Sequence, residues 1–164
     1  MPLHSLSKFS PTALVFIDYD GVLQTSALPD FKDFEFLPAF EAILREFPGV
    51  GVGISSTHRV GFPLETLRKL YSPDIRHRII GATPDLVEGR ADGGRFKEIE
   101  AFRISEGVES LPWLAIDDEG HLFPPDCPSL LLTSRYGGFH EGVQFQLREW
   151  LSHHAGAQAP TPLP

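Results

Sequence analysis

Cysteine is almost absent from this 164-residue chain, in which Cys127 stands alone. A single cysteine excludes an internal disulfide and is typical of proteins from a reducing compartment. The chain also lacks an apolar run long enough to cross a membrane, and its first residues lack the apolar centre of a signal peptide. We therefore expect a cytoplasmic protein that does not bind membranes.

Basic residues are scarce relative to acidic ones. The chain has 14 Lys and Arg against 22 Asp and Glu, and its formal net charge is −8. Nonspecific binding to nucleic acid depends on a basic patch that contacts phosphates. The net charge therefore does not support a nucleic-acid partner, although it leaves room for a small local basic patch. Internal repeats of the solenoid type are also lacking.

Short apolar runs are present at five places and alternate with helical patterns. Unbroken apolar runs of this length are typical of strands buried on both faces of a parallel sheet. The runs are 13–17, 50–55, 78–82, 113–117 and 130–134, and the helical patterns are 37–47, 63–71, 95–104 and 140–151. This alternation predicts an α/β fold of three layers with a central parallel sheet.

The length is that of one domain. We predict that this domain covers residues 11–154, preceded by a loose lead-in at 1–10. Residues 155–164 are small and proline-rich, which predicts a flexible tail.

Polar residues follow several of the predicted strands. In α/β sheets, ligands bind beyond the carboxyl ends of the strands, so these residues are the candidate site. They are the acids Asp18, Asp20, Asp117 and Asp118, the hydroxyls Ser55 and Ser56, and the cations Arg95 and Lys97 near a helix start. Each also has a structural interpretation: the acids as turn residues, a serine as a helix cap, and Arg95 as a solvated helix residue.

Acids gathered at one sheet edge would repel one another unless a cation joins them. Mg²⁺ prefers carboxylates, a backbone carbonyl and water as ligands, and it attracts phosphate in spite of a negative protein charge. A carboxylate left free to attack phosphorus would form an acyl-phosphate. Gly21, directly after the second acid, would let the chain turn sharply there. The pattern thus predicts a magnesium site that acts on a phosphorylated substrate.

Three segments resemble motifs of the haloacid dehalogenase-like (HAD) superfamily of phosphohydrolases. They are "FIDYDGVL" for the first motif, "GVGISS" for the second and "LAIDDE" for the fourth. The resemblance implies a Rossmann-like fold and a Mg²⁺-dependent phosphatase. By this resemblance Asp18 is the nucleophile and a metal ligand, while Asp20 is the general acid and base and lends its carbonyl to the metal. Asp117 and Asp118 would be the remaining metal ligands.

The resemblance also implies residues that bind the phosphoryl group. Ser55 would hold its oxygens, with Ser56 as the alternative, and either Arg95 or Lys97 would neutralise its charge. A narrower resemblance, carried by "ISSTHR", "RFKEIEAF" and "IDDE", is to the HAD domain of bacterial Swiss Army Knife RNA repair proteins. It favours Arg95 as the cation and implies that Arg59 lies near the phosphate.

Many members of this superfamily carry a cap domain over the site. The segments between the first and second motifs and between Ser55 and Arg95 are too short for one, since a loop, helices and a strand already fill them. We therefore expect an open site, with residues 28–36 as a flap.

We predict a phosphoric monoester hydrolase that works through an aspartyl-phosphate on Asp18. Two alternatives stay open: a non-catalytic module that binds a phosphorylated partner, and a phosphatase that processes nucleic-acid ends. A phospho-receiver domain is disfavoured because it expects paired acids after the first strand rather than late in the chain.

Overall fold

The computed structural model describes residues 9–25 and 34–156. Five parallel strands form one sheet in the order β3-β2-β1-β4-β5. The strands are β1 (Ala13–Ile17), β2 (Val50–Ile54), β3 (Ile79–Ala82), β4 (Trp113–Asp117) and β5 (Leu130–Leu132). The helices are α1 (Leu37–Glu46), α2 (His58–Gly61), α3 (Leu64–Arg68), α4 (Gly94–Ser105) and α5 (Glu141–His154).

Strand β1 lies at the centre of the sheet and is buried along its whole length. Its side chains alternate between two apolar clusters, as the period of a strand requires. Val15 and Ile17 pack into the cluster that contains α1, α3 and α5 residues, and Leu14 and Phe16 pack into the cluster that contains α4 residues. Helices therefore cover both faces of the sheet, which gives the three predicted layers.

The fold class predicted from the sequence is confirmed. All five predicted strands and all four predicted helices are present, with boundaries that shift by a few residues. Among residues 9–25 and 34–156, no further group of elements forms a cap domain. No helix in the described part of the chain is long and apolar enough to cross a membrane.

Two features of the segment after β2 were not predicted. The short helix α2 was missed because four residues are too few to show a helical period. Leu70, which a helix over all of 63–71 would place on the same face as the buried Leu67, is 41% exposed, because α3 ends at Arg68.

Parts of three predicted segments lie outside the described residues: most of the lead-in, the tail from residue 157 onward, and residues 28–33 of the expected flap.

The strand order determines what lies side by side at the carboxyl edge. Strand β1 pairs with β2 on one side and with β4 on the other, and Ile17 is in register with both Ile54 and Ile116. The residues that follow these three strands are therefore neighbours in space, although they are far apart in the chain.

Candidate active site

Three carboxylates meet where strands β1 and β4 end. Asp18 follows β1 directly, Asp117 is the last residue of β4, and Asp118 comes next. One carboxylate oxygen from each lies within 4.8 Å of the others. Asp18 and Asp117 are buried, and Asp118 is half-buried. The first and fourth sequence motifs are thus joined in one acidic cluster.

Burial and mutual repulsion disfavour the charged forms of these acids. Burial raises the pKa of Asp18 well above its usual value, the charges of Asp117 and Asp118 raise it further, and Arg95 opposes them. Burial likewise raises the pKa of Asp117 against the opposing effect of Arg95. Burial also raises the pKa of Asp118, while its hydrogen bond to Asp18 acts in the opposite direction. The positive charge of Arg95 alone therefore does not balance the negative charges of the three acids. A bound cation would supply the missing positive charge.

Arg95 is the cation within this cluster. It lies in the first turn of α4, and its side chain is buried. Its Nη1 is 2.7 Å from Asp117 Oδ2, 3.5 Å from Asp18 Oδ2 and 3.9 Å from Glu119 Oε2. Nearby Asp117 and Asp18 raise the pKa of Arg95 in spite of its burial. Its Nε has no hydrogen-bond partner among the described residues.

Lys97 occupies a different position. It is exposed, and two residues along a helix rotate a side chain to nearly the opposite face. Between the two cations that the sequence left open, the structure brings Arg95 rather than Lys97 to the acids.

Gly21 is required by the way the first motif turns. Its φ is +78°, a conformation that glycine adopts without strain. A Cβ on this residue would also collide with the carboxylate of Asp118. The carbonyl of Gly21 accepts a hydrogen bond of 2.8 Å from the buried Thr133 Oγ1. The turn of the first motif thus packs directly on the acids and hydroxyl that follow β4 and β5.

Asp20 lies apart from the three clustered carboxylates. Its side chain is 56% exposed. Gln24 Nε2 donates to its Oδ1 at 2.8 Å, and His58 Nε2 is 3.2 Å from its Oδ2. Asp18 and Asp20 together line a cavity of about 490 Å³, with Arg95, Asp118, His121 and Arg135 among the other lining residues.

The serines of the second motif are fully buried. Ser55 continues the sheet, since its N–H donates to the Ile17 carbonyl, and its Oγ has no partner within the described residues. Ser56 Oγ accepts the N–H of His58 at 3.2 Å, but the N-cap of α2 is Thr57, whose side chain makes no capping hydrogen bond. Thr57, the next residue, is exposed and lines the cavity beside Asp18 and Asp20.

Arg59 is engaged by other protein groups. Its guanidinium donates to the carbonyls of Thr83 and Ser56 at 2.8 and 2.9 Å, and its Nη2 is 2.7 Å from Glu98 Oε2. The side chains of Arg59 and Glu98 are 4% and 3% exposed. In this structure Arg59 therefore joins the segment after β2 to α4 instead of facing the cavity beside Asp18.

Several residues near the site were not singled out as site residues from the sequence: Gln24, Thr57, His58, Glu98, Glu119, His121 and Arg135. A signal was available for Glu98, because it lies three residues after Arg95 and therefore on the same side of α4. Gln24, Thr57 and His58 carry no comparable pattern, and only the packing of α2 against the first motif brings them together.

The donor set fits a hard divalent cation. Carboxylate oxygens are the ligands that Mg²⁺ prefers, and Asp18, Asp117 and Asp118 supply three at short mutual distances. No thiol or imidazole belongs to this cluster within the described residues, so softer metals are less well matched.

The family comparison agrees with this geometry. The family model of the HAD domain in Swiss Army Knife RNA repair proteins matches residues 14–142. Searches of curated proteins and of solved structures found no match. The match extends over most of the chain, from β1 to the start of α5, and includes all the acids described above. The chain belongs to the family of HAD domains found in Swiss Army Knife RNA repair proteins.

Proposed function

We propose that this protein is a Mg²⁺-dependent phosphoric monoester hydrolase that works through an aspartyl-phosphate on Asp18. One observation carries the proposal: Asp18 lies within a cluster of acids and beside Arg95, and it lines the same cavity as the more exposed Asp20. Membership in a HAD family supports a phosphatase-type hydrolase at the level of reaction class.

The first chemical step belongs to Asp18 and Asp20. A carboxylate oxygen of Asp18 attacks phosphorus, the bond from phosphorus to the ester oxygen breaks, and Asp20 donates a proton to the departing oxygen. In the second step a water molecule attacks the phosphorus of the acyl-phosphate. Asp20 takes the proton of that water, and inorganic phosphate and the free Asp18 carboxylate are released.

Arg95 and the buried acids set up the electrostatics of these steps. The Arg95 guanidinium is 3.5 Å from the nucleophile and neutralises negative charge that gathers on the phosphoryl oxygens. Asp18, Asp117 and Asp118 would hold the magnesium ion, together with the Asp20 carbonyl that the resemblance implies. When bound, the ion supplies Lewis-acid stabilisation of the phosphoryl group.

The second motif has two candidate donors for the phosphoryl group. The unpartnered Ser55 Oγ is the donor implied by the resemblance, although its complete burial requires a small local movement. The exposed Thr57 is the alternative, because it already lines the cavity. Arg59 and Ser56 would act by positioning this segment, and the exposed Lys97 would contribute at most to long-range attraction of phosphate.

A nucleic-acid end is the second candidate for the substrate, and the description of the family favours it. The net charge of −8 opposes nonspecific binding of a long nucleic acid. Arg135 lines the cavity and would supply local positive charge there.

The test is hydrolysis of an aryl phosphate by the purified protein with Mg²⁺. We expect Asp18→Asn to lower kcat by about 10³-fold or more, because the nucleophile is removed. Asp74→Asn is the matched control, since Asp74 precedes β3 at the opposite end of the sheet and, among the described residues, forms its salt bridge with Arg45 at the surface. Equal rates for Asp18→Asn and the parent protein would overturn the proposed nucleophile. No activity in the parent on any phosphomonoester would favour the non-catalytic binding module.

A further inference from the structure

A second, apolar groove of about 340 Å³ lies beside Asp20, on the side of α2 and α3. We call it the ring groove, and it is lined by Gln24, Phe34, His58, Phe62, Thr66, Leu67 and Leu70. Its volume falls within the range of small-molecule sites, roughly 300–1,000 Å³. The reaction described above does not use this groove.

The ring groove connects directly to the general acid. Gln24 and His58 line the groove, and the same two side chains hydrogen-bond the two carboxylate oxygens of Asp20. Because Asp20 gives its proton to the departing oxygen, the group attached to that oxygen leaves on the Asp20 side. The ring groove is therefore next to the position of the leaving group.

The walls of the groove match a flat, uncharged ring. The rings of His58 and Phe62 are nearly parallel, with an interplanar angle of 18° and centroids 6.4 Å apart. Phe62 is 51% exposed, so much of its surface is free to stack on a ligand. No Asp, Glu, Lys or Arg lines the groove within the described residues, so it offers no Lys or Arg cation to a second phosphate.

The orientation of His58 favours a substrate whose ring is joined to the ester oxygen through a spacer over one whose ring is bonded directly to that oxygen. The edge of the imidazole bonds Asp20, whereas its face lies parallel to Phe62. A ring bonded directly to the ester oxygen would meet the imidazole edge, and a ring that stacks on Phe62 needs a spacer. The ribose of a nucleotide is such a spacer.

We propose that the ring groove binds the nucleobase of a nucleotide phosphomonoester, with Phe62 as its stacking platform. The assignment rests on the proposed phosphatase function and names its substrate class. The nucleotide can be free or can be the terminal residue of a nucleic acid, because both present the same base, sugar and terminal phosphate.

The test compares a substrate that has a base with one that lacks it. The measured quantity is the kcat/KM for adenosine monophosphate divided by the kcat/KM for ribose 5-phosphate. We expect this ratio to exceed one in the parent protein and to fall about 5- to 100-fold in Phe62→Ala, the size that loss of one base–aromatic stack produces. Phe62→Leu should fall similarly, whereas Phe62→Trp should keep the ratio because it keeps a flat ring.

Val60→Ala is the matched control. Val60 is 53% exposed and only two residues from Phe62, but it does not line the ring groove. A fall of the ratio in Val60→Ala equal to that in Phe62→Ala would overturn the proposal. So would an unchanged ratio in Phe62→Ala, or a parent protein that does not prefer the nucleotide.

A further comparison distinguishes a free nucleotide from the terminal nucleotide of a nucleic acid as the substrate. Free adenosine 3′- and 5′-monophosphates and short RNAs with a 3′- or 5′-terminal phosphate are assayed in parallel with the parent and Phe62→Ala proteins. A loss of rate in Phe62→Ala on either kind of nucleotide supports the groove, and the faster kind identifies the source.

A binding measurement separates this proposal from the phosphatase function itself. Saturation-transfer NMR with adenosine monophosphate and Asp18→Asn should show saturation of the base protons, and this should be lost in Asp18→Asn/Phe62→Ala. Hydrolysis of ribose 5-phosphate without base saturation would overturn the ring groove and leave the phosphatase function standing. Base saturation without any hydrolysis by the parent would support the groove and overturn the phosphatase function.

Discussion

Asp20 differs from the other three acids in exposure and in its partners. The clustered acids are held against Arg95 and one another, whereas Asp20 reaches into the cavity and is held by Gln24 and His58. Such a position suits a group that exchanges protons with the substrate and with water.

Asp20→Asn is expected to lower kcat for an aryl phosphate by about 10²- to 10⁴-fold, the usual value of general acid help. The amide oxygen can still accept the hydrogen bond from Gln24, but the amide has no carboxyl proton to give to the departing oxygen. The loss of kcat should be smaller for a second substrate with a more acidic leaving group, because its departing oxygen depends less on receiving a proton. The prediction is contradicted by equal losses on both substrates, which would indicate a structural effect.

At the residue scale, the sequence supplied the identities of the acids but left the choice of cation open. Arg95 and Lys97 are two positions apart, so a single turn of α4 sends them in different directions. Which of them faces the acids depends on how α4 rotates against the sheet. That rotation is set by burial of Ile99 and Phe102, and these residues turn Arg95 inward.

At the element scale, α4 and the segment after β2 are joined by a buried ion pair. Arg59 Nη2 is 2.7 Å from Glu98 Oε2, and Glu98 also accepts the N–H of Leu86 at 2.9 Å. Because α4 carries Arg95 and the segment carries Ser55, this pair fixes two parts of the candidate site relative to each other. The pair therefore affects function by positioning Arg95 and Ser55 relative to each other.

Glu98→Gln is expected to lower the free energy of unfolding by about 3 kcal/mol, because it leaves the buried Arg59 charge without its partner. Glu46→Gln is the control, since the side chains of Glu46 and its partner Arg148 are 49% and 41% exposed and such a surface pair is worth less than about 1 kcal/mol. Urea denaturation of both variants measures the difference. Equal losses would mean that the Arg59–Glu98 pair contributes no more than a surface pair.

At the scale of the whole molecule, the acidic cluster should couple folding to metal binding. Asp18, Asp117 and Asp118 come from distant parts of the chain and meet only in the folded state. A cation that binds the native site and not the unfolded chain stabilises the native state by mass action, by about 2.7 kcal/mol at 100 times its Kd.

We expect saturating Mg²⁺ to raise the Tm by about 5–10 °C, given that 1 kcal/mol shifts the Tm of a chain of this size by about 2–4 °C. NaCl at equal ionic strength should give a smaller shift, because it only screens the acids. Asp117→Asn should lose most of the Mg²⁺ effect, and Asp74→Asn should retain it. A shift of the same size in Asp117→Asn and the parent protein would exclude the cluster as the metal site.

The apolar runs and the acids that follow them were sufficient to predict the layers, the parallel sheet and the edge at which the acids lie. The reason is that strand and helix periods and burial on both faces are local properties of the chain, and parallel strands put all their carboxyl ends at one edge. The partners of Arg59, the choice of Arg95 over Lys97, the exposure of Asp20 and the ring groove depended on packing between segments far apart in the chain. Such contacts are set by how α2, α3 and α4 rest on the sheet, which no local period encodes.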